Sequence, residues 1–308
     1  MGFMAVLKEV YRLPIGKIKE LCSSLYGLSI SEGEISESIS LLAETLKDDY
    51  RKLIEEIKKS GKVNIDETSW RELGQNGWLW GFINTWYEFF VIRKTRSSEV
   101  PKQVLKGFSG ITTTDFYSAY NCLPSIKQRC WAHLLRDFKD LVNKYPKNKE
   151  VSVFSGKVGS LYEQAVNLAR DPASPSVSAR PSRDGSLGGP PLKERILTKL
   201  KLETQIEEIC RKYQGSDFPG KTLAKRLLKY KKELFTFVVS DIDPTNNAAE
   251  RGLRHAVVSR KISRGTRSPR GSEAKAILMS LFGSWKRQNL NPLDQAIFAV
   301  QKVSTAGK

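Results

Sequence analysis

Residues 63–94, VNIDETSWRELGQNGWLWGFINTWYEFFVIRK, contain three short runs that are rich in β-branched and aromatic residues. Such runs are typical of strands, and the connection between the second and third is short enough for a hairpin. Strands are therefore expected at 63–66, 78–84 and 88–94. Helix and strand patterns then alternate, with a helix at 97–108, strands at 110–117 and 126–130, and a helix at 131–146. This order predicts an α/β fold in which helices flank a mixed five-stranded sheet.

Helical patterns dominate the chain on both sides of these strands. In the N-terminal helical segment, one helix is expected to stop at Gly27, and a second, long helix is expected to run from Ser31 to Gly61. Ser31 and Glu34 have the spacing of a capping box, which marks the start of that second helix. The chain is expected to divide into an N-terminal helical segment, a first part of the sheet core, an α-helical insertion and a helical completion of the core, at 1–61, 62–146, 147–240 and 241–308.

The run DPASPSVSARPSRDGSLGGPP occupies residues 171–191, inside the insertion, and 13 of its 21 residues are Pro, Gly or Ser. Such a composition cannot build a packed core, so a disordered loop is expected there. Helices are expected around it at 151–170, 192–213 and 221–238.

The charge of the chain narrows the classes of partner. Its 308 residues carry a formal net charge of +18 at pH 7, which favours nucleic acid as the partner. No apolar stretch is long enough for a membrane span, and four Cys without a CxxC pair argue against a disulfide scaffold. A cytoplasmic, nucleoid-associated protein is therefore expected.

The positive charge is concentrated near the C-terminus, where residues 250–287 hold ten Lys/Arg and only two acids. Such a surplus predicts contacts with DNA phosphates, which position DNA without reading its sequence. The candidate contacts are Arg251, Arg254, Arg260, Lys261, Arg264, Arg267 and Arg270. A helix-turn-helix reader in 14–60 is the competing location for DNA binding, but the acidic start of its second helix favours a packing hairpin instead.

Asp66 and Asp115 are the first candidates for chemistry, because each ends a predicted strand. In the β-β-β-α-β order, strands one and four are expected to lie side by side, which would bring the two carboxylates together. Two close carboxylates repel each other unless a cation lies between them, and oxygen ligands select Mg²⁺ or Mn²⁺. The alternative is that each Asp only caps a turn. Glu250, on a predicted helix at 245–261, is a third candidate.

Alternatives remain open for the third carboxylate as well. Glu250 could form only a solvated ion pair with Arg251 or Arg254 on its own helix. Asp241 and Asp243 are rivals, although they lie in an expected turn before Pro244.

Four segments of the chain resemble, in order, segments of the DDE transposases of the insertion sequence 66 family. They are NIDETSWRELGQNGWLWGFIN, TTDFYSAY, RCWAHLLRDFKDL and DPTNNAAERGLRHAVVSRKISRGTRSPRGSEAKAILMSLFGSWKRQ. The resemblance covers about residues 10–145 and 220–303. It implies an RNase H-like core in which Asp66, Asp115 and Glu250 form the acidic triad and bind two Mg²⁺ or Mn²⁺ ions. It also implies that a helical insertion separates the last two of these residues.

The activity implied by this resemblance is metal-dependent DNA cleavage at transposon ends, followed by strand transfer into target DNA. The implied partners are double-stranded DNA, further copies of the chain in a homo-oligomer, and accessory transposition proteins. His133, Asn246 and Asn247 are candidates for accessory roles. For His133, a structural role remains open, and so does a zinc site with Cys130 that only Cys122 and His255 could complete.

Two other functions remain open from the sequence. Full-length members of the family carry a further N-terminal region with a Cys-based zinc-binding segment, whose pattern is absent here. A truncated or inactive relic that only binds DNA is therefore one alternative. The other is a different nuclease on the same fold, which fold alone does not exclude.

Overall fold

The computed structural model describes residues 1–169, 191–215 and 217–306. Nearly all of the expected loop at 171–191 lies outside these residues. The strands are β1 (Lys62–Glu72), β2 (Gln75–Ile83), β3 (Glu88–Arg93), β4 (Ile111–Thr114) and β5 (Ile126–Arg129). The helices are α1 (Gly2–Glu9), α2 (Ile15–Tyr26), α3 (Glu32–Thr45), α4 (Lys47–Lys59), α5 (Glu99–Val104), the 3-10 helix η1 (Ser118–Cys122), α6 (Trp131–Lys144), α7 (Lys149–Ala169), α8 (Leu192–Arg211), α9 (Lys221–Leu234), α10 (Thr236–Val239), α11 (Asn247–Ser263), α12 (Pro269–Arg287) and α13 (Pro292–Ala306).

The described strands form a mixed five-stranded sheet in the order β3-β2-β1-β4-β5, with helices on its flanks. This confirms the expected α/β class. The chain divides into two compact units. Unit 1 comprises residues 1–110, 117–124 and 247–308, and unit 2 comprises residues 111–116 and 125–246. Unit 1 contains the antiparallel strands β1, β2 and β3, and unit 2 contains the parallel pair β4 and β5.

The first strand is much longer than the four residues expected at 63–66, because the polar stretch after Asp66 continues as strand. β1 and β2 form one hairpin, in which Glu72 pairs with Gln75 across the two-residue turn Leu73–Gly74. Both turn residues have positive φ, at 52° and 76°. That geometry matches the right-handed twist of the flanking strands. The two strands therefore remain paired up to the turn itself.

The two faces of the unit 1 sheet pack against different helices. Val63 and Ile65 of β1 belong to the large core that contains buried residues of α1, α3 and α4. Trp70, on the opposite face, packs with Leu253 of α11 and Met279 of α12. Strand alternation therefore places Asp66, four residues before Trp70, on the face that α11 and α12 cover.

The N-terminal helices differ in part from the expected segment. Ser31 caps α3 with the full capping box, and Gly27 ends α2 in the left-handed conformation at φ 62°. The expected long helix is instead two helices that break at Leu46, and α1 was not expected. Ile35 and Leu42 of α3 are completely buried, so one face of α3 packs into the core.

Unit 2 surrounds its two parallel strands with helices and a second core. An aromatic cluster fills that core, and it consists of Trp131, Phe138, Phe154, Tyr213, Phe218 and Phe235. The buried Arg129 at the end of β5 donates a hydrogen bond of 2.6 Å to Glu233 of α9. No helix among the described residues is long and apolar enough to cross a bilayer.

Candidate functional site

Asp66 lies in the middle of β1, opposite Gly81 of β2. Its Oδ1 accepts a hydrogen bond of 2.9 Å from the main-chain N–H of Glu67. A Cβ at position 81 would lie only 3.3 Å from Leu253 Cδ2, so α11 rests directly on the strand pair that holds Asp66. The expected position at a strand end is wrong, because β1 continues for six residues beyond Asp66.

Glu250 lies in the first turn of α11 and is half-buried. Its neighbours Ala249 and Leu253 are buried against Leu79 and Ile83 of β2. Asp66 and Glu250 thus belong to the same sheet–helix layer of unit 1. The sequence does not indicate this arrangement, since 184 positions separate the two residues. It follows from the register of the β1–β2 hairpin, which places Asp66 beside the β2 residues that contact α11.

Asp115 directly follows β4 in unit 2, so its expected position at a strand end is confirmed. It lines a cleft of about 520 Å³, together with His133 of α6 and several residues of α9. Its main-chain carbonyl accepts a hydrogen bond of 2.8 Å from Nη1 of Arg129. The buried guanidinium therefore fixes the backbone that carries this carboxylate.

The other singled-out residues have identifiable surroundings. Asn246 is fully buried, and its main-chain N–H donates to Sγ of the buried Cys130 at 3.1 Å. Asn247 is the first residue of α11. The remaining candidates for a zinc site are engaged elsewhere in unit 1: the Cys122 thiol donates to main-chain carbonyls, and the His255 ring is hydrogen-bonded to the Glu9 carbonyl.

The seven candidate cations do not form one uniform surface. Arg260 is half-buried and donates to the main-chain and side-chain oxygens of Ser69 in β1. Arg270 forms a bidentate ion pair with Glu37 of α3, at 2.7 and 2.8 Å. Arg270 itself is exposed, and so are the other five, which are Arg251, Arg254, Lys261, Arg264 and Arg267.

The basic loop between α11 and α12 is anchored to the β1–β2 hairpin. Thr266 N–H donates to the Arg71 carbonyl at 2.9 Å, and Leu73 N–H donates to the Thr266 carbonyl at 2.9 Å. Gly265 has φ 109°, and a Cβ there would lie 2.1 Å from the Arg71 carbonyl oxygen, so this close approach requires glycine. Arg264 and Arg267 thereby project from a fixed loop.

A buried ion pair supports the α1, α11 and α12 packing in unit 1. Lys275 Nζ donates to Glu9 Oε2 at 2.5 Å and to Ser259 Oγ at 2.9 Å, and both charged side chains are almost fully buried. Burial and the nearby Lys275 ammonium lower the pKa of His255, and burial also lowers the pKa of Lys8. Part of the C-terminal positive charge is therefore structural.

The sequence interpretation missed two functional candidates. Helix α9 holds six Lys/Arg and one acid in 14 residues, a count that the sequence displays plainly. The second is the buried Glu67, next to Asp66, which pairs with Arg96 at 2.5 Å and accepts a hydrogen bond from Tyr120. No sequence signal indicates that pairing.

Comparison with known proteins identifies the class. The family model described as "Transposase IS66 family" matches residues 1–274. The chain therefore belongs to the IS66 family of transposases, as the four sequence segments predicted.

Two curated relatives come from Sinorhizobium fredii (strain NBRC 101917 / NGR234), and both carry the name of an uncharacterized protein. The protein y4qI is 22% identical over 326 residues, which cover 96% of this chain and 57% of y4qI. The protein y4jD is 20% identical over 319 residues, which cover 94% of this chain and 59% of y4jD. The chain thus spans less than two thirds of the length of these relatives.

Proposed function

We propose that the chain is a metal-dependent DDE transposase that cleaves DNA at transposon ends and transfers the cut strand into target DNA, on an RNase H-like core. The observation that carries this proposal is the family match over residues 1–274, together with three half-buried carboxylates. Asp66 and Glu250 lie in the sheet–helix layer of unit 1, and Asp115 follows β4 in unit 2.

The donor chemistry of these residues fits a divalent cation. All three offer carboxylate oxygens, which Mg²⁺ and Mn²⁺ prefer, and each sits on an element held by packing or by hydrogen bonds. Asp66, Asp115 and Glu250 would hold two ions, which when bound stabilise charge on the attacking and leaving oxygens of a phosphodiester. Local order at Asp66 comes from the Glu67 N–H, and at Asp115 it comes from Arg129.

The exposed cations would position the DNA backbone on unit 1. Arg264 and Arg267 flank Thr266, whose main chain is tied to the β1–β2 hairpin. Contacts from such a fixed loop orient the duplex without specifying its sequence. Double-stranded DNA is the proposed partner. A homo-oligomer and accessory transposition proteins are proposed because two DNA ends must be brought together for strand transfer.

The test measures nicking and strand transfer in Mg²⁺ or Mn²⁺ on a duplex that carries the ends of the element encoding the chain. Asp66→Asn, Asp115→Asn and Glu250→Gln are expected to lower the rate by at least about 10²-fold. Asp243→Asn is the matched control, because Asp243 is exposed and caps a turn by accepting from Thr245. Cleavage that persists in the three variants contradicts the proposal.

The two alternatives give different outcomes in the same assay. A relic would retard the duplex but yield no product in either metal. Another nuclease would cut the duplex but give no strand-transfer product from a 3′-hydroxyl end. Either result replaces the transposase proposal with that alternative.

A further inference from the structure

The cleft beside Asp115 is strongly basic on one side. Helix α9 forms that side and contributes Lys225, Arg226 and Lys229 to the lining. Asp137 lines the cleft as well, but Arg226 Nη1 is ion-paired with it. That pair cancels its own charge, so the other charged groups of the lining are the two lysines and the Asp115 carboxylate.

Lys225 and Lys229 are four residues apart on α9, so they lie on the same face of the helix. Both are exposed, and neither has an ion-pair partner within the part of the chain that the structure describes. Lys231, on the same helix, differs because it is ion-paired with Glu207 of α8. The two lysines thus bring to the cleft positive charges that no ion pair among the described residues neutralises.

Helix α9 is tied to the strand end that carries Asp115. Arg129 donates to Glu233 of α9 at 2.6 Å and to the Asp115 carbonyl at 2.8 Å, and its guanidinium lies 4.5 Å from the ring centroid of Tyr230. Tyr230 also contacts Phe116 edge-to-face at 5.5 Å. A single buried side chain thus links the lysine-bearing helix to the candidate catalytic strand.

We propose that this cleft of unit 2 binds the phosphodiester backbone of DNA, with Lys225 and Lys229 each contacting a phosphate next to Asp115. A phosphate bound between them would relieve the repulsion of two like charges on one helix face. None of the residues that line this cleft belongs to the basic stretch 251–270. The assignment deepens the proposed transposase function and rests on it for the role of Asp115, but not for DNA binding itself.

The test compares the salt dependence of DNA affinity for three forms of the full chain. Fluorescence anisotropy with a labelled duplex of random sequence, in EDTA, gives log K against log salt. Lys225→Gln/Lys229→Gln is expected to weaken binding about tenfold and to reduce the slope by about 1.8, the value for two duplex phosphate contacts. Lys157→Gln/Lys201→Gln removes the same charge from exposed positions of α7 and α8.

Equal slopes for the two double variants overturn the proposal, because a general loss of charge would then explain the effect. Circular dichroism and thermal unfolding check that both variants remain folded, as exposed substitutions should. The cleavage assay separates this inference from the proposed function. One outcome is that Lys225→Gln/Lys229→Gln reduces the salt slope more than the control double variant does, while Asp115→Asn still cleaves. In that case the cleft binds DNA but the catalytic assignment of Asp115 fails.

Discussion

The residues 251–270 of unit 1 and helix α9 of unit 2 are both rich in cations, but they use them differently. In 251–270, Arg260 is hydrogen-bonded to Ser69 of β1, and Arg270 is ion-paired with Glu37 of α3. Part of the positive charge in this stretch is therefore already engaged by other protein groups. In α9, the acids that bind Arg226 and Lys231 leave Lys225 and Lys229 together in a cleft.

The difference shows that a count of cations does not locate a nucleic-acid surface. Glu37 neutralises Arg270 from 233 positions away in the sequence, so no local pattern reveals the pair. What separates structural cations from available ones is the position of their acids in the folded chain. Substitutions of structural cations should lower stability, and substitutions of available cations should weaken DNA binding, so the two kinds of substitution test this comparison.

The largest effect is expected for Lys275→Met, which removes the structural cation of α12. Glu9 would remain as a buried charge without its partner, and breaking such a pair typically costs about 3–5 kcal/mol of the free energy of unfolding. Equilibrium urea unfolding measures this loss.

The double variant Glu9→Leu/Lys275→Met is the control for that experiment. It removes both charges and fills the space with apolar atoms, so it is expected to recover most of the stability. If the single and double variants are equally unstable, the loss is one of packing rather than of charge.

The next effect distinguishes Arg260 from Arg264, which are close in sequence but different in surroundings. Arg260→Ala removes hydrogen bonds from a charged donor to Ser69, and it is expected to cost about 1.5 kcal/mol of unfolding free energy. Arg264→Ala is expected to leave stability within about 0.5 kcal/mol, because Arg264 is exposed. Equal stabilities in urea unfolding would contradict the structural role of Arg260.

The buried charges near α1 also predict a pH dependence of stability. The pKa of His255 is lowered in the folded chain by burial and by Lys275, while Glu9 partly opposes this and Arg12 adds to it. As pH falls below about 6.5, the unfolded chain binds a proton that the folded chain does not, so stability decreases. The slope from this group cannot exceed about 1.4 kcal/mol per pH unit.

His255→Gln isolates this contribution, because Gln can still donate to the Glu9 carbonyl but does not titrate. The difference between the unfolding free energies of the two proteins, measured from pH 7.5 to about 5, is expected to follow the His255 term alone. A pH-independent difference would contradict a lowered pKa of His255 in the folded chain.

The sequence predicted those features that depend on local chemistry. The capping box at Ser31 and the helix stop at Gly27 follow from residue type at fixed spacing, and both are present. The predicted length of β1 was wrong because the second half of the strand is polar. That half is a strand only because it pairs with β2. The same limit applies to the candidate site, since the surroundings of Asp66 depend on a helix that lies about 180 residues later.

The smallest effects concern Arg267 and Arg270, which are three positions apart. Arg267 is exposed on the anchored loop, so Arg267→Gln is expected to reduce the salt slope of duplex binding by about 0.9. Arg270 must leave Glu37 before it can contact a phosphate, and this pair lowers the pKa of the Glu37 carboxyl. Arg270→Gln is therefore expected to reduce the slope by less.

The stability of these two variants completes the test. The Arg270–Glu37 pair is exposed, so its removal is expected to change the unfolding free energy only slightly, and Arg267→Gln is expected to change it still less. If both variants reduce the salt slope equally, Arg270 exchanges Glu37 for phosphate at no cost. Its ion pair would then not prevent Arg270 from contacting DNA. The contrast with α9 would rest on Arg260 and Lys275 alone.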